Sequence, residues 1–334
     1  MSDWISFPNL FSNKIEIDRV AFKLFGTEIY WYGILIALGS FLAVTYTLKR
    51  AKSFGLIQDK MFDVIFAGSI AGIIGARAYY VLFSGYSYTL RTAVFGIRDG
   101  GLAIYGGIIL SAFTAVVFSK IIKIRILPVL DLAGLGFLIG QAIGRWGNFF
   151  NQEAFGEPTA ANSIFGMTGS IIEKDMYVVM TGSLLPESGQ ILVHPCFLYE
   201  SFWCSLGFVL LHSYSKKRRF DGEIFLLYAG WYGLGRMFIE GLRMDSLYVG
   251  DYRISQIVAL ISVIASATLV IYVRLKLKNM PDYKMARDNP ECIAKIESYP
   301  TDIKIEKEKK LAVKALRKAK KEQEERKSNS ILGK

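Results

Sequence analysis

The chain has 334 residues, 52% of them hydrophobic, and a formal net charge of +11. That apolar content, gathered in long uncharged runs, excludes an ordinary soluble domain. The positive charge lies largely after residue 301 and in short loops, which does not describe a nucleic-acid-binding face, and no nucleic-acid partner is expected.

Residues 1–28 lack a basic segment followed by a short apolar core, so no cleaved signal peptide is expected. They are read as an external N-terminal segment. Seven apolar stretches follow, at 29–48, 62–83, 102–121, 127–150, 197–214, 223–240 and 254–275. Each is near the length of about 20 residues that spans a bilayer as a helix. The expected architecture is an all-α integral membrane protein with seven transmembrane helices over 29–280. Between the fourth and fifth stretches, 151–196 reads as a small external lobe, with a strand or two around Tyr177-Val178-Val179. Residues 281–334 read as a basic cytoplasmic tail; Lys304 to Lys327 suggests a solvated helix or disorder, with weak attraction to anionic lipid.

Lys and Arg crowd alternate loops. Lys49, Arg50, Lys52 and Lys60 follow the first stretch, Lys120, Lys123 and Arg125 the third, Lys216 to Arg219 the fifth, and Arg274, Lys276 and Lys278 the seventh. The positive-inside rule then sets the N-terminus outside and the C-terminus in the cytoplasm. Cys196, Cys204 and Cys292 have no metal-like spacing, and His194 and His212 lie far apart in the chain, so no metal and no cofactor are expected.

Ionisable groups within spans are costly and mark function by default. On this topology Tyr32, Arg77, Tyr105, Arg145, Asn148, Tyr199, Glu200, Tyr232, Arg236 and Glu240 all fall near the outer ends of their spans. Asp131 is the exception, at the inner end of the fourth, and reads as a partner for inner-loop basic residues or as a helix-start acid. The run Gly144-Arg145-Trp146-Gly147-Asn148-Phe149-Phe150-Asn151-Gln152-Glu153 surrounds one guanidinium with amides and a carboxylate. A planar guanidinium grips phosphate through two parallel hydrogen bonds. A structural helix-end network is the competing reading. Tyr232, Arg236, Glu240 and Arg243 recur at spacings of four, four and three, on one helix face, where Arg236 and Glu240 form either a neutralising pair or part of a site.

These residues resemble the bacterial phosphatidylglycerol–prolipoprotein diacylglyceryl transferases. Gly144 to Gly156 is similar to that family's signature, Gly-Arg-x-Gly-Asn-Phe-x-Asn-x-Glu-x-x-Gly. Tyr30-Trp31-Tyr32-Gly33, Gly75 to Tyr80, His194-Pro195 to Tyr199-Glu200, and Tyr232-Gly233 through Arg243 resemble further segments in the same order, over about 29–275. The resemblance implies transfer of the diacylglyceryl group of phosphatidylglycerol to the lipobox cysteine of a prolipoprotein, with glycerol phosphate leaving. It implies a multi-pass protein of the bacterial inner (plasma) membrane, whose partners are phosphatidylglycerol, prolipoprotein signal peptides and membrane lipids. The site it implies contains Arg145, Arg236, Glu240, Glu153 and Tyr105 as catalytic candidates, with Arg145, Tyr32, Arg77, Asn148, Asn151 and Tyr232 binding substrate.

One position departs from the family: Tyr105 stands where well-known members carry a histidine proposed as the base. Tyrosine, with an ordinary pKa of about 10, is a poor proton acceptor near neutral pH. Glu153 is an alternative acceptor or an anchor for Arg145. A transporter with an anion site at its outer face is the alternative function; the lack of an internal repeat and the clustering of polar groups at one end argue against it.

Overall fold

A computed structural model describes residues 3–300, except 12, 87, 97–99, 182–190, 245–247 and 251, together with residue 313. The chain opens with four strands, β1 (Asp3–Ser6), β2 (Ile15–Ile17), β3 (Val20–Leu24) and β4 (Thr27–Tyr30). Helix α1 (Trp31–Arg50) follows directly, then α2 (Gln58–Phe83), the short α3 (Leu90–Phe95), α4 (Ile104–Ile121) and α5 (Ile126–Asn151). Strand β5 (Thr168–Gly169) runs into α6 (Ser170–Thr181), and α7 (Cys196–Tyr214) and α8 (Glu223–Ile239) complete the bundle. The short strands β6 (Tyr248–Val249) and β7 (Tyr252–Arg253) pair antiparallel before α9 (Ile254–Leu277).

All seven apolar stretches fall on helices. Among the described residues, five segments are long and apolar enough to cross a membrane: 31–54, α2, α4, α5 and α9. The other two, α7 with 19 residues and α8 with 17, are not among them. Helix α8 is one residue too short, and α7 is made less apolar by Glu200, His212 and its Trp, Tyr and Ser residues.

Helix α5 is the centre of the bundle. Half of its apolar window is buried, against 11–17% for the other four segments. Leu132, Leu135 and Leu138, three residues apart, are fully buried and anchor a core that also takes Phe54, Met61, Cys204 and Ile224. Truncating any of these leucines to alanine is worth about 2–5 kcal/mol. At the other margin of the bundle α2 packs on α4, held by Ser111, whose hydroxyl donates to the Gly68 carbonyl at 2.9 Å.

Asp131 serves a helix start, though of another helix. Its Oδ2 accepts from the Gly222 amide and its Oδ1 from the Phe225 amide, both at 2.9 Å, so a side chain of α5 caps the start of α8. Glu223 beside it is fully buried and neutralised by Arg274 of α9, whose Nε donates at 2.7 Å. After α9 the chain folds back under the bundle: the Ala286 amide donates to Asp221 Oδ2 at 2.7 Å and Tyr283 accepts from the Asp221 amide at 3.1 Å. Residues 290–300 are helical. The beginning of the expected tail is therefore folded, while 304–327 lies outside the described residues except for 313.

The segment expected as an external lobe forms one body with the N-terminal strands. β1 pairs antiparallel with both β2 and β5. Ile5, Ile17, Met167, Ile172, Met176, Val193 and Phe197 share a core there. The strand expected at Tyr177-Val178-Val179 is instead part of α6. Ile172 and Met176, four residues apart and both buried, set a helical period that overrides the short β-branched run.

Candidate active site

Three helices deliver charge to one end of the bundle. The last turns of α5 bring Arg145 and Asn148, the first turn of α7 brings Glu200, and the end of α8 with its following turn brings Arg236, Glu240 and Arg243. Glu200 is the hub. Its carboxylate meets Arg145 Nη2 at 2.5 Å, Arg243 Nη1 at 3.0 Å and Arg236 Nη1 at 3.4 Å. Arg236 Nη2 also meets Glu240 Oε2 at 2.5 Å, one helical turn on. Both carboxylates are buried, Glu200 at 5% and Glu240 at 1% exposure. Among the described residues, three guanidinium groups thus converge on two buried carboxylates.

The network continues along α5. Arg145 Nη1 lies 3.4 Å from Asn148 Oδ1, Asn148 Nδ2 donates to Glu153 Oε1 at 2.9 Å, and Asn151 Nδ2 donates to the same oxygen at 3.2 Å. Glu153 is therefore tied to Arg145 through Asn148, while the carboxylate directly on Arg145 is Glu200. Tyr32 of α1 lies flat against this end of α5 because Gly147 has no side chain; a Cβ there would sit 2.3 Å from the tyrosine ring. Tyr232 lines a small cavity with Glu200, Cys204 and Arg236. Trp203 and Trp231, stacked at 4.3 Å, exchange indole hydrogen bonds with each other's backbone carbonyls and so fix α7 against α8 one turn from Glu200.

A larger cavity of about 420 Å³ opens beside the network, lined by Glu28, Ile29, Tyr30, Tyr32, Gly33 and Asn151. Lys23 at 3.0 Å and the Tyr30 hydroxyl at 3.1 Å hold the Glu28 carboxyl below the usual carboxylate range.

Two expected site residues lie elsewhere. Arg77 is buried and donates to the backbone carbonyls of Thr92, Ala93, Gly100 and Gly101 at 2.7–3.1 Å. That occupies four of its five N–H donors and makes it the organiser of the loop between α2 and α4, away from the Glu200 network. Tyr105, in the first turn of α4, is 53% exposed, and among the described residues its hydroxyl has no hydrogen-bond partner. In the other direction, Glu200 and Arg243 were noted at the outer level and on the Arg236 face but were given no catalytic or binding role. The signal for Glu200 was available as a charge balance: several arginines at one level of an apolar bundle require carboxylates at the same level.

The fold and site define a helical, membrane-embedded class of protein with a cluster of arginines and buried carboxylates at one end. The chain belongs to the prolipoprotein diacylglyceryl transferase family, whose model matches residues 19–272. It is 39% identical over 264 residues to the phosphatidylglycerol–prolipoprotein diacylglyceryl transferase of Clostridioides difficile (strain 630), covering 79% of this chain and 98% of that protein. The similarly named protein of Enterococcus faecalis (strain ATCC 700802 / V583) is 40% identical over 272 residues, 80% of this chain and 94% of the relative. That of Finegoldia magna (strain ATCC 29328 / DSM 20472 / WAL 2508) is 40% identical over 257 residues, 76% of this chain and 95% of the relative.

Proposed function

We infer that this transferase moves the diacylglyceryl group of phosphatidylglycerol onto the lipobox cysteine of prolipoproteins, forming a thioether and releasing glycerol phosphate. Family membership and the names of the relatives support the reaction. The observation that carries the site assignment is the trio of arginines on Glu200, two of them partly exposed. A phosphodiester carries one negative charge and complements it.

The side chains of Arg145 and Arg236 are 23% and 21% exposed, whereas Arg243 is 9% exposed. The first two therefore receive the phosphate, and Arg243 holds Glu200 in place. As the glyceryl C–O bond breaks, the leaving phosphate gains a second negative charge. Fixed guanidinium groups in a partly dry site stabilise that charge without reorganising. Tyr32 and Asn151 line the cavity that receives the headgroup. Asn148 and Glu153 orient Arg145, and Tyr232 packs beside Arg236.

On this reading α7 and α8 also cross the bilayer, giving seven spans in a bacterial plasma membrane. The N-terminus, the lobe and the site lie outside, and the basic loops lie in the cytoplasm. Transfer to a lipobox peptide in washed membranes tests the assignment. Arg145→Ala is expected to lower turnover by about 100- to 1000-fold at unchanged protein level; turnover like that of the unmodified chain would reject the phosphate role.

A further inference from the structure

The attacking group is a thiol, with an ordinary pKa of about 8.5, and the thiolate is the nucleophile. A proton must therefore leave sulfur near the site. Resting on the transfer reaction inferred above, we propose that His194, oriented by Tyr199, accepts the proton of the substrate thiol.

The chain contains two histidines. His212 stands near the end of α7 remote from Glu200, with Nδ1 2.7 Å from the Tyr46 hydroxyl. His194 stands at the site end, two residues before α7 and six before Glu200. Its backbone is pinned on both sides: the amide donates to the Glu157 carbonyl at 3.2 Å, and the carbonyl accepts from Gly156 and Cys196, each at 2.9 Å. Gly156 is required for this fit, since a Cβ there would lie 2.7 Å from His194 Cβ and 2.8 Å from the Leu242 carbonyl. Gly156 also bridges Arg243, whose guanidinium lies on Glu200. One backbone frame thus holds the imidazole and the arginine network together.

Within that frame the half-buried ring is oriented. Nδ1 lies 3.3 Å from the Tyr199 hydroxyl. With Nδ1–H donating to Tyr199, the lone pair of Nε2 is left to take a proton. Among the described residues, Tyr199 faces the ring, and the titratable and charged residues linked to the same backbone are Cys196 on α7, Arg243, and Glu157 paired with Arg253 at 3.1 Å. The carboxylates of the network are engaged otherwise: Glu200 and Glu240 with arginines, Glu153 with two amides. Tyr105 stands on α4, which packs against α2.

The step balances. The S–H proton passes to Nε2, sulfur bonds to the glyceryl carbon, and that carbon's C–O bond breaks. The electron pair leaves on the phosphate, and the imidazolium then returns its proton to solvent or to the phosphate.

The test compares the full chain with His194→Gln and Tyr199→Phe in phosphatidylglycerol vesicles. Each receives a lipobox peptide carrying either cysteine or selenocysteine, whose selenol is already ionised at neutral pH. With the cysteine peptide His194→Gln is expected to lose about 100-fold in kcat/KM at neutral pH, to recover as pH rises, and to keep its KM for lipid. With the selenocysteine peptide it is expected to approach the unmodified chain. Tyr199→Phe is expected to lose about tenfold, again only with cysteine, and to retain the acid limb of the pH profile. Equal losses with both peptides, or a pH profile merely shifted down by a constant factor, would overturn the proposal. A failure of the unmodified chain to modify either peptide would instead reject the transfer reaction.

Discussion

Glu200 of α7 and Arg145 of α5 meet at 2.5 Å, and two further arginines of the α8 end converge on the same carboxylate. Glu200 is therefore a placeholder for negative charge as well as a structural partner. On the proposed function, an entering phosphate takes over part of its contact with Arg145 and Arg236.

This makes Glu200→Gln informative. Removing one member of a buried charge network costs about 3–5 kcal/mol, because the remaining charges lose their compensation. The variant is expected to melt at a lower temperature in detergent. Inorganic phosphate should restore part of that loss, since an anion that binds the folded state stabilises it. Thermal melts with and without phosphate decide this; a variant indifferent to phosphate would contradict the exchange.

Tyr105→Phe is expected to transfer at a rate within about twofold of the unmodified chain, as for a surface change that removes no hydrogen bond. The exposed hydroxyl and its place on α4 are the reasons. Initial rates with the cysteine peptide provide the check, and a large loss would return this residue to the chemistry.

Arg77→Met should act on stability and leave the lipid KM of the surviving protein unchanged. The substitution strips four carbonyls of a charged donor. Each such hydrogen bond contributes about 1.5–3 kcal/mol, partly recovered where the freed carbonyl reaches water. Melting temperature and lipid KM, measured on the same preparation, separate this from a headgroup contact.

The turn between α7 and α8 should confer a pH dependence on stability. Burial pushes the Asp221 carboxyl above its ordinary range, against the lowering effect of the Ala286 amide and Arg218. The folded state therefore binds this proton more tightly than the unfolded chain. Stability contributed here rises as pH falls through the raised value toward the ordinary carboxylate range near 4. Asp221→Asn, which keeps an acceptor for Ala286, lacks that gain. The melting temperature of the unmodified chain minus that of the variant is expected to increase on acidification from neutral pH, and a constant difference would reject the assignment.

The long helices were legible because a run of about 20 apolar residues is what lipid demands of a spanning helix. The seven apolar stretches and the seven long helices coincide to within a few residues, apart from α2, which begins four residues earlier. Arg145, Asn148, Asn151 and Glu153 were legible because they are neighbours in sequence as well as in space. Glu200 as a hub was not, since its three arginines come from two other helices and only tertiary packing brings them together. The loop role of Arg77 was hidden for a related reason: the four carbonyls it holds belong to a loop whose sequence announces no acceptor. At Tyr177-Val178-Val179 a short β-branched run concealed a helix whose period was carried upstream, by Ile172 and Met176.

The cap that Asp131 provides to Gly222 and Phe225 also has a meaning in time. Because α5 precedes α8, the carboxylate is already in place when the start of α8 emerges during synthesis, and two amides find their acceptor on arrival. A circularly permuted chain that made α8 before α5 would lack that acceptor until α5 followed, at several kcal/mol for each amide held meanwhile in an apolar setting. The order of helices in the gene thus serves as an assembly instruction, written in a single aspartate at the end of the bundle farthest from the chemistry.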